Sequence, residues 1–109
     1  MSDMNKYYQE GILAKGYYHD NNNLAIILLN KADLKGPPLL TITVNTDEIL
    51  PPNQAYVKDY AENEGILKVL EQKGLVTKKA GEKKQGFVTL YLIEFDIDKI
   101  KSIYEASKQ

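Results

Sequence analysis

The sequence predicts an α+β domain, with an antiparallel sheet of about five strands and two helices in the order β-β-β-α-β-β-α. The strongest indication is the run 87–95, Phe-Val-Thr-Leu-Tyr-Leu-Ile-Glu-Phe, which is apolar at most odd and most even positions. A strand with this pattern has both faces covered, and its β-branched and aromatic residues favour a strand over a helix. We therefore expect a central strand at 87–95. A hairpin near the start and a capped helix in the middle are the other two observations behind the prediction.

The first half of the chain is typical of three antiparallel strands. Segments 11–19 and 24–30 flank residues 20–23, Asp-Asn-Asn-Asn, and these residue types tolerate the left-handed backbone of a tight turn. This favours a hairpin with a short polar loop. A loop with glycine and two prolines at 31–38 precedes segment 39–45, where β-branched residues predict the third strand.

A helix is predicted after residue 59. Segment 59–62, Asp-Tyr-Ala-Glu, has the spacing of a capping box, in which Asp59 accepts amides of the first turn and Glu62 reaches back. Apolar residues then recur at helical spacing as far as Gly74. Glycine is the commonest residue just past a helix end, so we expect the helix to stop there.

The last third of the chain is predicted to contain two paired strands and a second helix. Segments 75–79 and 87–95 bracket a polar stretch at 80–86, which is expected to be the irregular loop of a hairpin. Asp96 would cap the final helix. Four apolar residues spaced by three and four would form its buried face: Ile97, Ile100, Ile103 and Tyr104.

Length and composition indicate one globular domain. A chain of 109 residues, 43% hydrophobic and 27% charged, is expected to fold as a single domain at 1–109, with residues 1–9 as a flexible start. The first residues lack the pattern of a signal peptide, and no apolar run approaches the roughly 18 residues that span a bilayer. We therefore expect a cytoplasmic protein without membrane contact.

The residue inventory argues against an enzyme. Cysteine is absent and His19 is the only histidine, which excludes thiolate metal sites, cysteine nucleophiles and histidine pairs. Acidic pairs at 47/48, 62/64 and 96/98 lie on predicted caps and turns, where helix dipoles and solvent account for them. No glycine-rich phosphate loop occurs. We expect no catalytic residue, no metal and no cofactor.

Charge is unevenly distributed along the chain. Segment 76–93 carries four lysines against one glutamate, a net charge of +3, whereas segment 47–75 carries a net charge of −3. All fourteen basic residues are lysine, which lacks the rigid fork that arginine uses to read guanine. Tyrosines add aromatic area that suits interfaces. The candidate binding residues are Lys78, Lys79, Lys83, Lys84, Tyr56, Tyr60, Glu62 and Glu64.

Three segments resemble a known family. These are 41–45, Thr-Ile-Thr-Val-Asn; 54–57, Gln-Ala-Tyr-Val; and 86–95, Gly-Phe-Val followed by a long strand that ends in Phe. In this order they resemble a small domain family of unknown function carried on conjugative elements, plasmids and prophages of Firmicutes. The resemblance covers about 17–95 and includes no catalytic signature. It implies an accessory protein of a mobile genetic element.

Two main functions follow as expectations. The resemblance implies a non-enzymatic protein that binds a host protein, for example an anti-defence inhibitor of the anti-CRISPR type. The residues themselves leave open a nucleic-acid-binding domain, in which a lysine-rich hairpin lies along phosphates and tyrosines stack on bases. A hydrolase centred on His19 is a third hypothesis. The identity of the partner and the oligomeric state are left open.

Overall fold

Two four-stranded sheets and three short helices make up residues 3–108, the part of the chain that this computed structural model describes. The α+β class is therefore confirmed, with the strands in two sheets instead of one. The elements are α1 (Met4–Tyr8), β1 (Gly11–Tyr17), β2 (Leu24–Asn30), β3 (Leu40–Thr41), β4 (Thr43–Val44), β5 (Gln54–Lys58), α2 (Ile66–Gln72), β6 (Val76–Gln85), β7 (Val88–Phe95), β8 (Lys101–Ser102) and α3 (Ile103–Ala106).

One segment belongs to both sheets. The sheets have the strand orders β3-β2-β1-β8 and β4-β5-β7-β6, and β3 and β4 are successive parts of the run predicted as a single third strand. Between them, the amide of Ile42 donates to the carbonyl of Ile26 (3.0 Å), and the carbonyl of Ile42 accepts from the amide of Lys58 (3.2 Å). We call residues 40–44 the Ile42 corner, because there the chain leaves the first sheet and enters the second.

The side chain of Asn63 holds the two strands at the Ile42 corner together. Asn63 is fully buried and lies in a 3₁₀ turn at Ala61–Asn63. Its Nδ2 donates to the carbonyls of Thr41 in β3 (2.9 Å) and Lys58 in β5 (3.3 Å). Two bonds from a buried amide to two strands restrict how far those strands can separate.

The predicted first hairpin and central strand are confirmed. Strands β1 and β2 pair antiparallel from Gly11↔Asn30 to Tyr17↔Leu24, and Asn22 in their loop has the left-handed backbone expected there (φ 63°). Strand β7 is hydrogen-bonded to β5 on one side and β6 on the other. It is the central strand that the two-sided apolar pattern predicts, although it begins at residue 88 and leaves Phe87 outside.

The main core is shared by both sheets and α2. Alternate residues of β1 and β2 face this core, and their neighbours face a smaller cluster formed by Ala14, Leu29 and Ala106 of α3. Helix α3 therefore covers the outer face of the first sheet. The buried residues of the main core are Met4, Leu13, Leu24, Ile26, Leu28, Leu40, Ile42, Ala55, Val57, Ile66, Val69, Leu70, Leu75, Ile93, Phe95 and Ile100.

Helix α2 forms close to the predicted position but begins differently. Asp59 accepts the amides of Gly65 (2.6 Å) and Leu67 (3.2 Å), six and eight residues further on. The predicted capping box is wrong, because Glu62 pairs with Lys58 instead of reaching back. Gly65 supplies the left-handed backbone (φ 90°) that turns the chain into the helix.

The ends of the chain also differ from the predictions. The final helix predicted from Asp96 is instead a 3₁₀ turn at Ile97–Lys99, the short strand β8 and helix α3. Strand β8 pairs in parallel with β1, and α3 begins with a capping box formed by Ser102 and Glu105. Residues 4–8 of the expected flexible start form α1, while Met1 and Ser2 lie outside the described residues. None of the helices within 3–108 is long and apolar enough to cross a membrane.

Asp59→Ala is expected to destabilise the fold by about 1–2 kcal/mol, because two amides at the start of α2 lose their acceptor. Urea denaturation followed by circular dichroism measures this change. Glu71→Ala is the control, since Glu71 is exposed on the same helix and substitutions of that kind stay within about 0.5 kcal/mol. Equal effects of the two substitutions would contradict the capping role of Asp59.

Candidate binding surface

The β6–β7 hairpin is longer and more regular than the sequence predicts. The loop predicted at 80–86 is wrong, because β6 continues to Gln85, which pairs with Val88. The connection is only Gly86 and Phe87, and the positive φ of Gly86 (63°) is typical of the type II′ turn, in which glycine stands first. The sequence does not indicate this strand, because an edge strand exposed on both faces shows no apolar alternation.

The hairpin places all four predicted lysines on one strand at the edge of the second sheet. Strand β6 is the last in its sheet order, and we call Lys78, Lys79, Lys83 and Lys84 on it the lysine edge. Lys83 pairs across the strands with Leu90, and Lys84 pairs with Thr89. Adjacent residues of a strand point to opposite faces, so the lysine edge presents positive charge on both sides of the sheet.

Two members of the lysine edge are held by acidic partners. Lys79 forms an ion pair with Glu82 (2.6 Å) and lies over the ring of Tyr91, 4.9 Å from its centroid. Lys83 forms an ion pair with Glu48 (2.8 Å). Lys78 and Lys84 are exposed and take part in none of the ion pairs formed within residues 3–108. Their charge is presented to solvent.

Glu48 connects a distant loop to this hairpin. Its Oε1 accepts bonds from Lys83 Nζ (2.8 Å) and from the Tyr56 hydroxyl (3.0 Å). The buried side chain of Asn23 fixes its backbone, since Asn23 Nδ2 donates to the Glu48 carbonyl (2.7 Å) and Asn23 Oδ1 accepts from the amide of Leu50 (3.0 Å). The loop of the first hairpin thereby positions a carboxylate that lies between β4 and β5.

The bonds at Glu48 shift two pKa values in opposite directions. The bonds from Lys83 and then from Tyr56 hold the pKa of Glu48 below its usual value. Burial, and then the bond to Glu48, raises the pKa of Tyr56. At neutral pH the carboxylate is charged and the phenol is neutral, which is the state that their hydrogen bond requires. This arrangement holds segments together and leaves Glu48 without a proton to donate.

The remaining predicted binding residues lie on β5 and in the segment that follows it. Tyr56 is 6% exposed, so its ring is covered by the protein itself and cannot stack on a partner. Glu62 pairs with Lys58 (2.6 Å), and the Lys58 ammonium lies 5.7 Å from the centroid of the Tyr60 ring. Glu64 is exposed just before α2. Tyr56 is the member of this group that meets the lysine edge, since the Lys83 ammonium lies 5.7 Å from the centroid of its ring.

Phe87 lies outside the strand that the sequence predicts for it. It was predicted to lie in the central strand, yet its relative exposure is 108%, which is as open as in an extended chain. It stands at the tip of the hairpin, next to the lysine edge. The glycine before it is the only local signal of a turn, and the apolar run that follows outweighed that signal.

Other features of the described residues give weaker indications of a functional site. No group of three or more acidic or histidine side chains within 3–108 is arranged to hold a metal ion. An open groove of about 280 Å³ is lined by Asp3, Met4, Tyr7 and Glu62. His19 is exposed in the turn of the first hairpin, as expected for a solvated histidine.

Comparisons of the chain with protein-family models, with curated proteins and with solved structures find no match. The resemblance to a family carried on mobile elements therefore stays a prediction.

Glu48→Gln is expected to lower stability more at pH 7 than at pH 3. The pKa of Glu48 is lower in the folded chain than in the unfolded chain, so the charged group adds stability above the ordinary glutamate pKa of about 4.3. That stability is lost as the pH falls through the lower, folded-state pKa. Urea denaturation of both proteins at the two pH values tests this, and a difference that is the same at both would contradict it.

Proposed function

We propose that this chain is a non-enzymatic, cytoplasmic accessory protein of a mobile genetic element, and that it binds a host protein through the β6–β7 hairpin. The observation that carries the proposal is the full exposure of Phe87 beside the lysine edge. An aromatic side chain at the tip of a paired hairpin, with charge along its side, has the composition of a binding hot spot with a polar rim.

The energetics favour a partner at this tip. Burying a phenylalanine side chain is worth about 1.5–3 kcal/mol, and a free chain forgoes this gain when it leaves the ring in water. The two-residue turn and the paired strands on either side present the ring at little cost in entropy. Exposed lysines nearby would accelerate the encounter with an acidic surface.

The cellular context of the proposal rests on the family resemblance. Accessory proteins of mobile DNA often block host defence enzymes by occupying a surface, so we propose an anti-defence inhibitor of the anti-CRISPR type. Relaxase or integrase genes beside the gene for this chain would support that context. A position inside a metabolic operon would contradict it.

Phe87→p-benzoylphenylalanine is expected to cross-link to one host protein when the purified chain is irradiated in a Firmicutes lysate. Tyr104→p-benzoylphenylalanine is the control, because Tyr104 is also exposed but lies on α3, over the first sheet. Mass spectrometry identifies the cross-linked protein, and the proposal expects a component of a host defence system. Identical products from the two positions, or none from position 87, would contradict the proposed surface.

Phe87→Ser is then expected to weaken binding to that partner at least tenfold, as measured by titration calorimetry. The fold is expected to be unaffected, because the ring is exposed. Tyr104→Ser is the matched control and is expected to bind like the unaltered protein. An unchanged affinity for Phe87→Ser would remove the tip from the interface.

The alternative function is nucleic-acid binding along the lysine edge, and the exposure of Lys78 and Lys84 outside the ion pairs supports it. It predicts a mobility shift of single-stranded DNA that weakens steeply with salt and disappears in Lys78→Glu/Lys84→Glu. The control is Lys6→Glu/Lys35→Glu, at exposed positions away from the second sheet. A shift of equal strength in both double variants would exclude the lysine edge as a nucleic-acid site.

A further inference from the structure

We propose that the free edge of β6 accepts an acidic, extended segment of the partner as an additional strand. This inference rests on the proposed function, since it specifies how a protein partner would be held. Strand β6 is hydrogen-bonded to β7 on one side and is the last strand of its sheet within the described residues. Half of its backbone amides and carbonyls therefore face outward, as in any edge strand.

The regular part of β6 is the half nearest the hairpin tip. Register shifts occur between Val76 and Lys78 and between Lys79 and Gly81, whereas residues 81–85 pair with β7 without a break. Bulges twist an edge and hinder pairing with another strand. The first half of β6 is thereby protected, and 81–85 is left as an unbroken template of five residues.

The turn geometry identifies which amides face outward. In a two-residue hairpin the carbonyl before the turn bonds the amide after it, so Gln85 and Val88 form a hydrogen-bonded pair. Bonded and non-bonded pairs alternate along an antiparallel ladder. The pairs Lys84↔Thr89 and Glu82↔Tyr91 are then non-bonded, and the amides of Glu82 and Lys84 point away from β7.

Charge selects the occupant of this edge. Within β6 the four lysines and Glu82 carry a net charge of +3. A second copy of the chain would bring another +3 strand to a spacing of about 4.8 Å, and the two would repel each other. A segment rich in aspartate and glutamate would instead be attracted, with an acidic side chain reaching Lys84, which forms none of the ion pairs within residues 3–108.

The probe for this inference is a synthetic peptide of eight residues, capped at both ends, in which pairs of adjacent glutamates alternate with valine and threonine. Nuclear magnetic resonance follows its titration into the ¹⁵N-labelled chain up to millimolar concentration. The expected result is that amide hydrogen exchange at Glu82 and Lys84 slows at least fivefold at saturation. A peptide that binds without slowing exchange at these two amides, or one that does not bind, would overturn the inference.

A matched pair of substitutions separates strand addition from simple charge attraction. Glu82→Pro removes one outward amide without touching a bond to β7, and proline is tolerated on an edge where its nitrogen faces solvent. Glu82→Gln makes the same change in charge and keeps the amide. The peptide is expected to bind Glu82→Pro at least tenfold more weakly than Glu82→Gln. Equal affinities would show attraction by charge alone and would overturn the inference.

Two further outcomes distinguish this inference from its alternatives. If the partner cross-linked at Phe87 binds Glu82→Pro and Glu82→Gln with equal affinity, the inference of strand addition is wrong. The proposal that the partner binds at the hairpin tip is unaffected by that result. If oligothymidine instead of the acidic peptide slowed exchange at Glu82 and Lys84, the edge would be a nucleic-acid site and the inference would be overturned.

Discussion

The backbone bonds of Ile42 are the constraint on which the rest of the fold depends. One residue donates to β2 and accepts from the end of β5, so the two sheets are parts of one continuous path instead of two independent layers. This connection is what brings the apolar faces of both sheets into a single core with α2. The amide of Asn63 spans the same point, and its full burial removes competition from water.

The same constraint determines which surfaces remain for binding. Helix α3 covers the outer face of the first sheet, and the corner occupies the β4 end of the second sheet. The opposite end of that sheet, strand β6, is the edge that these elements leave uncovered. The function proposed for the chain therefore lies on the outside of the sheet, where the hairpin tip and the lysine edge adjoin.

The sequence predicted those elements whose physical signal is local. The first hairpin has asparagines that tolerate its turn, and β7 has the apolar residues Ile93 and Phe95 that enter the main core. The strand conformation of residues 80–85 was not predictable from the hydrophobic pattern, because an exposed edge strand needs no apolar residues. The sequence predicts a single final helix because isoleucines spaced by three suit a helix as well as a turn and a short strand.

Long-range effects left no signal in the sequence. Glu48 contacts Lys83, 35 residues away, and nothing in the pair 47/48 distinguishes it from an ordinary exposed turn. The exposure of Phe87 depends on where β6 ends, which follows from its pairing with β7. The sequence therefore predicted the lysines of the candidate site. The exposed position of Phe87 at the hairpin tip is known only from the tertiary structure.

Hydrogen–deuterium exchange of the chain with and without its captured partner tests the central claim most directly. The account predicts that protection on binding is concentrated at residues 78–88, which include the lysine edge and Phe87. Protection confined to α3, or to the groove beside α1, would contradict it.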